Sequence, residues 1–206
     1  MSSAFDTRVI LVNLLKVFNQ SGYECLVSEL IKKWLLKKEI KFTVDKVGNI
    51  YNFDNPDAPF LNAHLDSVQT QADIWAGKFL TIENDLIVKS KGHVIGGDDL
   101  CGVYIILYLL GFTNLKFNWI LTVKEETGGQ GSTAFVKENE KLLTNSPYGI
   151  VIDRRGKGDI ICASNNYGTP EFQDALVKVG KDFGYTSTSG VWCDANIWKE
   201  HVSCAN

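Results

Sequence analysis

The chain has 206 residues, 45% of them hydrophobic and 22% charged, and a formal net charge of −3. That length suits one domain, or one with a small appendage, and is enough to bury a sizeable core. The 18 Gly, 4 Pro and 5 Cys exclude collagen, low-complexity disorder and a disulfide miniprotein, and the mild acidity argues against a nucleic-acid partner.

The charge is uneven. Residues 1–50 hold 8 Lys/Arg against 5 Asp/Glu, whereas the remainder holds 13 against 19. Such an acidic surplus is either solvated surface or carboxylates gathered around cations. The cysteines (Cys25, Cys101, Cys162, Cys193, Cys204) are odd in number and form no CxxC pair, which predicts a reduced, cytoplasmic chain. The N-terminus MSSAFDTRVI lacks the basic and then apolar run of a signal peptide. The uncharged stretch from Leu100 to Leu115 is 16 residues, short of the roughly 20 that span a bilayer, so no membrane partner is expected.

Apolar spacing predicts a helix over 7–18, broken at Gln20-Ser21-Gly22, with Ser21 as cap of a second amphipathic helix over 23–37. Ile40–Val44 alternates as a half-buried strand, Gly48-Asn49 turns into a strand at 50–53, and Phe60–His64 reads as a short buried strand. A hairpin is expected at 78–82 and 85–89 around Asn84-Asp85. An apolar helix follows over about 100–111, then a strand at 117–124, a helix from Ser132 to about Leu143, and strands at Gly149–Asp153 and Asp159–Ala163. A helix at 171–184 and a last short helix beginning at Asp194 complete the chain. Strands alternating with helices imply an α/β sheet covered on both faces.

Acidic residues and one His fall at the strand ends: His64/Asp66, Asp98/Asp99, Glu125/Glu126 and Asp153. Sites in open α/β sheets form at the carboxyl ends of strands, so these segments suggest one convergent cluster. His64 and Asp66 share a strand face, and a carboxylate there suits orientation of a ligating imidazole, although an isolated His-x-Asp pair is as readily a surface hydrogen bond. Gly96-Gly97-Asp98-Asp99 puts carboxylates where a strand turns into a helix; Asp99 as a simple N-cap explains one of these four residues. Adjacent Glu125 and Glu126 point to opposite faces and can serve two tasks, one binding metal and one taking a proton. Carboxylates with few His and no thiolate spacing suit a di-zinc or manganese hydrolase site.

The order and wording of these motifs resemble the co-catalytic zinc exopeptidases: peptidase T, carboxypeptidase G, aminoacylase and their aminopeptidase relatives. The matching residues are Ser21-Gly22-Tyr23-Glu24, Asp45-Lys46-Val47-Gly48-Asn49, His64-Leu65-Asp66, Gly96-Gly97-Asp98-Asp99-Leu100-Cys101-Gly102, Glu125-Glu126-Thr127-Gly128 and Ile152-Asp153, and the likeness runs from about residue 8 to about 198. The resemblance implies a three-layer α/β sandwich with a central, mostly parallel mixed sheet and helices on both faces. It implies two Zn2+ ions: His64 on the first, Asp66 orienting it, Asp98 bridging both across a cis Asp98–Asp99 bond, Glu126 on the second and Asp153 completing the first. Glu125 is then the general base, acting on a metal-activated water to cleave a peptide or related amide bond of a peptide or acyl-amino-acid substrate.

The chain departs from the family pattern in three places. Leu100 stands where many relatives have Lys. The family's last ligand, a His on the second zinc, lies beyond the motif that Asp194-Ala195-Asn196 resembles; the sequence stops at Asn206, and His201 comes too early to serve. The 41 positions between Asp153 and Asp194 leave no room for the lid or dimerisation domain carried there by peptidase T and carboxypeptidase G, which needs at least about 50 residues. The expectation is therefore a single catalytic domain over 1–206, without a lid and incomplete at its C-terminus; the missing lid weakly favours an aminopeptidase-like or broader amidase activity. The partner expected, beside the substrate, is a complementary C-terminal segment or a second copy of the chain. The alternative is a catalytically impaired homologue or fragment acting as a binding or assembly module. His93 is read as structural or solvent-facing.

Overall fold

The computed structural model describes residues 4–70, 73, 80–83, 86–89, 94–156, 158–162 and 166–206. The predicted Asn84-Asp85 turn, Ala163 and His93 lie outside them.

The first two helices are α1 (Ala4–Lys16) and α2 (Cys25–Lys37). In α2, Val27, Ile31 and Leu35 recur every four residues and are buried, the spacing of one apolar helix face. Ser21 does not cap this helix. The N-cap is Glu24, with no side-chain cap bond, and the Ser21 hydroxyl instead donates to Asp66 Oδ2 at 2.5 Å, 45 residues away. A charged acceptor across the fold outcompetes the local backbone.

Strand β1 (Thr43–Val44) pairs antiparallel with β2 (Ile50–Asn52), and β3 (Phe60–His64) ends on the His-x-Asp motif. A hairpin follows, β4 (Leu80–Glu83) against β5 (Leu86–Lys89). Helix α3 (Gly97–Phe112) leads to β6 (Asn118–Thr122), then α4 (Gln130–Thr144) and β7 (Gly149–Val151). Beyond Asp153 come β8 (Asp159–Ile161), α5 (Pro170–Asp182) and β9 (Thr186–Thr188), with β9 parallel to β8, and then α6 (Ala195–Trp198) and β10 (Cys204–Ala205).

The main sheet has the order β1-β2-β6-β3-β7-β10. The β1–β2 and β2–β6 pairings are antiparallel; β6–β3, β3–β7 and β7–β10 are parallel. Its two faces carry separate cores, as strand alternation requires. On one face Trp119, Leu121 and Val123 from β6 and its end pack with Leu14 of α1, Ile31 of α2 and Val103 of α3. On the other, Phe60 and Ile120 pack with Phe135 of α4 and Trp198 of α6. The result is an α/β sandwich with a mixed, mainly parallel sheet between helical layers, as the motif resemblance implies. No helix among the described residues is long and apolar enough to cross a membrane.

Candidate metal centre

The parallel strands β3, β6 and β7 lie side by side, so their carboxyl ends converge. His64 pairs with Thr122 across β3–β6, which sets Glu125 and Glu126 beside the His-x-Asp motif. Asp153 follows β7, and Asp98 opens α3. His64 Nε2 lies 3.2 Å from Asp98 Oδ1, 3.8 Å from Asp153 Oδ1 and 3.9 Å from Glu125 Oε2. Among the described residues two donor groups emerge, each with its ligand atoms within 4.8 Å of one another: His64, Glu125 and Asp153, and His64, Asp98 and Glu126. The Asp98–Asp99 peptide bond is cis. His201 lies elsewhere, its Nδ1 paired with Glu140 Oε1 at 3.0 Å.

Asp66 contacts His64 in two ways. Its backbone carbonyl is 3.0 Å from His64 Nδ1 and its carboxylate 3.4 Å. A carbonyl only accepts, so Nδ1 carries a proton and Nε2 faces the carboxylates. The Asp66 carboxylate also accepts from the backbone N–H of Glu125 at 2.9 Å and of Glu126 at 3.2 Å. One buried side chain thus fixes the turn that presents both glutamates. Asn49 holds the same turn from behind: its Oδ1 accepts from Val123 N at 3.0 Å and its Nδ2 donates to Gly131 O at 2.9 Å. Asp99, fully enclosed, accepts from His64 N at 3.1 Å and from Gly102 N at 3.1 Å, tying α3 to the end of β3.

The electrostatics of the cluster show a deficit of positive charge. Burial acts to lower the His64 pKa, but hydrogen bonds to Asp66 and Asp98 and the nearby Asp99 and Asp153 hold it well above its usual value. Burial pushes Glu125 up to about 8 and Asp153 up to about 7, with neighbouring carboxylates adding to both. Burial raises Glu126 and, strongly, Asp99 as well. Only the carboxylates bonded to the imidazole move down. Asp98 falls chiefly through its hydrogen bond with His64, and in Asp66 the bonds from His64, Ser21 and Glu125 N outweigh burial. Oxygen donors around one imidazole, short of positive charge, are a donor set that a divalent cation fits.

Asp194, read from sequence as the start of a short helix, has a further part. It is 1% exposed, and its Oδ2 accepts from Thr122 Oγ1 at 2.5 Å while Oδ1 has no hydrogen-bond partner among the described residues. Thr122 in turn receives an N–H from Asn62, whose Oδ1 accepts from Trp198 Nε1 at 3.0 Å. This polar chain runs behind the glutamate turn. Its bonded side chains are 60 to 136 residues apart, so no local spacing reveals it.

No protein-family model matches the sequence, and no curated protein does either. Solved structures do match in fold. The chain is similar to a tripeptidase from Staphylococcus aureus subsp. aureus, with 19% identity and a TM-score of 0.62, covering 75% of this chain and 45% of that one. It is similar to the aminopeptidase PepT from Bacillus cereus, with 23% identity and a TM-score of 0.60, covering 74% and 45%. With the TET1 peptidase of Pyrococcus horikoshii, described as able to assemble into a tetrahedron or a large octahedral shell, the identity is 16% and the TM-score 0.66, covering 97% and 89%. The chain thus spans less than half the length of the first two. The shared α/β architecture, with its mixed sheet between helices, gives the chain the catalytic-domain fold of these peptidases.

Proposed function

We propose that the chain is a zinc-dependent, metallopeptidase-like hydrolase acting on a peptide or related amide bond. The observation that carries this reading is the convergence of His64, Glu125, Glu126 and Asp153, at or just beyond the carboxyl ends of β3, β6 and β7, with Asp98 at the start of α3, in two donor groups. The fold shared with peptidases supports it.

In this reading His64, Asp98 and Asp153 hold one cation, Asp98 and Glu126 face a second, and Glu125 is the base. A bound zinc would supply Lewis acidity there, able to polarise the scissile carbonyl and make water more acidic. Asp66 keeps the His64 ring oriented through Nδ1 and holds Glu125 and Glu126 through their backbone N–H groups. Glu125, buried just beyond β6, would take a proton from the attacking water as the water oxygen bonds the carbonyl carbon, and pass it to the amine nitrogen as the C–N bond breaks. The test is hydrolysis of aminoacyl and N-acyl amino-acid amides by zinc-loaded protein. Turnover that stops on chelation and returns with zinc supports the reading; no turnover of any such amide rejects it.

Asp66→Ala removes the acceptor of two backbone N–H groups and one wall of His64 without substituting any proposed ligand. Zinc affinity should fall by about 10- to 100-fold, the usual cost of losing a ligand's supporting partner. A calorimetric zinc titration unchanged in this variant would remove the positioning role of Asp66.

A second reading rests on one observation: among the described residues the two donor groups share a single imidazole, His64. A single-cation site in a binding or assembly module would have that composition. Zinc stoichiometry separates the two, with two ions and turnover for the hydrolase and one ion without turnover for the module.

A further inference from the structure

The Ser21-Gly22-Tyr23-Glu24 motif has no part in the proposed chemistry, yet it meets the frame of the metal centre at two points. Residues 19–24 dock on the end of β3. Gln20 forms a parallel bridge with Ser67, Ser67 N donates to Asn19 O at 2.8 Å, and Asn19 Nδ2 donates to Leu65 O at 2.8 Å. The chain then turns, with Tyr23 N–H bonded to Gln20 O at 2.8 Å and Gly22 at a φ of 84°, a conformation that favours glycine. The turn delivers two side chains to neighbouring strand ends. The Ser21 hydroxyl reaches Asp66 Oδ2 just beyond β3, and the buried Glu24 reaches Lys124 just beyond β6. Glu24 Oε1 accepts from Lys124 N at 3.1 Å and from Gly22 N at 2.9 Å. Glu24 occupies the N-cap position of α2 without making a side-chain cap bond; its Oε1 is committed outside the helix.

Lys124 is an unusual place to anchor. Its φ of 55° lies in the left-handed region, which a non-glycine residue seldom adopts unless its surroundings hold it there. The next two residues are Glu125 and Glu126, so the backbone at Lys124 sets the direction in which both glutamates leave β6. Three consecutive N–H groups here end on two buried carboxyl groups. Lys124 N donates to Glu24 at 3.1 Å, Glu125 N to Asp66 Oδ1 at 2.9 Å and Glu126 N to Asp66 Oδ2 at 3.2 Å. The two acceptors are themselves joined by the 21–24 turn, which bonds Asp66 through Ser21 and carries Glu24 at its other end.

We propose that Glu24 is a positioning residue: it holds Lys124 in the left-handed conformation and thereby sets Glu125 and Glu126 at the angle the metal centre uses. The Ser21–Glu24 turn is then a brace that ties this bend to Asp66, the residue that orients His64. The proposal rests on the hydrolase reading above for the use of the two glutamates, and adds to it a residue on a different element. A stitch between α2 and the sheet would make the same hydrogen bonds. The two roles differ in what repairs their loss, because only a brace for a left-handed residue becomes dispensable when that residue no longer resists the conformation.

Amide hydrogen exchange on the metal-free protein reads the bend directly. Glu24→Ala should speed exchange at Lys124, Glu125 and Glu126 by at least about tenfold, while Ile120 and Leu121 within β6 keep their wild-type rates as the folding control. In a calorimetric titration its zinc affinity should fall by about tenfold, the lower end of what a ligand's supporting partner contributes. Glu24→Gln retains an acceptor oxygen and should stay near wild type in both measurements. The decisive variant adds Lys124→Gly to Glu24→Ala. Glycine takes a positive φ without strain, so zinc affinity and slow exchange at Glu125 and Glu126 should return, although the N–H of residue 124 still lacks its acceptor. Unchanged exchange in Glu24→Ala, equal acceleration at Ile120 and Leu121, or no recovery in the double variant overturns the assignment of Glu24 and leaves the hydrolase reading standing. A wild-type protein that binds no zinc overturns the hydrolase reading instead, and the exchange rates then decide by themselves whether Glu24 holds the bend.

Discussion

Glu125→Gln in the zinc-loaded chain should lose amide hydrolysis by about 100- to 10,000-fold, the contribution of a positioned general base, while its zinc content stays at the wild-type value. The substitution keeps size and shape and removes only the capacity to take a proton. The turn should survive it, because the bonds that hold residue 125 are made by its backbone: N–H to Asp66 Oδ1, and C=O from Gly128 and Gly129 N–H. The competing assignment comes from the same geometry. His64, Glu125 and Asp153 bring their ligand atoms within 4.8 Å of one another, so Glu125 is close enough to bind a cation itself. The two roles separate cleanly. A base loses turnover and keeps metal, whereas a ligand loses both. Glu126→Gln and Asp153→Asn are the matched controls, and each should weaken zinc binding in a titration. If Glu125→Gln alone strips zinc from the protein, the base assignment fails and Glu125 joins the ligand set.

The contrast between Glu125 and Asp194 shows what the sequence discloses. Strand β3 stands out in the sequence because Phe60–His64 is a short apolar run between Pro59 and a His-x-Asp motif, and the structure has the same five residues. The convergence of strand-end acids follows from parallel neighbours ending at one edge, a consequence of topology that alternating strands and helices already imply. The polar scaffold behind the site could not be read in that way. Ser21 has the features of a helix cap, yet its hydroxyl bonds Asp66; Asp194 opens a short helix, yet its carboxylate serves Thr122. Both look local in sequence, and both are claimed by partners brought near only by the fold. Strand β9 was missed for another reason. Thr186–Thr188 is largely exposed and polar, so it carries no apolar alternation, and only its pairing with β8 makes it a strand.

Trp198→Ala should destabilise the metal-free protein by about 3–5 kcal/mol, the range for emptying a large aromatic site in a core. Trp198 is fully buried and meets Phe60 and Phe135 edge-on, with centroids 5.9 and 6.2 Å away. Truncation opens a cavity between α6 and the sheet and removes the N–H that satisfies Asn62 Oδ1, a buried acceptor. The loss is a large share of the roughly 5–15 kcal/mol by which domains are stable. Urea unfolding without zinc is the measurement, since a bound ion would add its own stabilisation to the folded state. Trp198→Phe divides the effect: it retains ring packing but not the donor, and should cost less than the alanine change. Trp192→Ala is the external control, an equal deletion at a site outside both cores, and should cost under about 1 kcal/mol. Equal midpoints for Trp198→Ala and wild type would mean that the second core does not depend on this ring. The consequence reaches the metal centre, because Asn62 also donates to Thr122, and Thr122 holds Asp194 behind the glutamate turn. Zinc affinity in Trp198→Phe should therefore fall even though no ligand has changed.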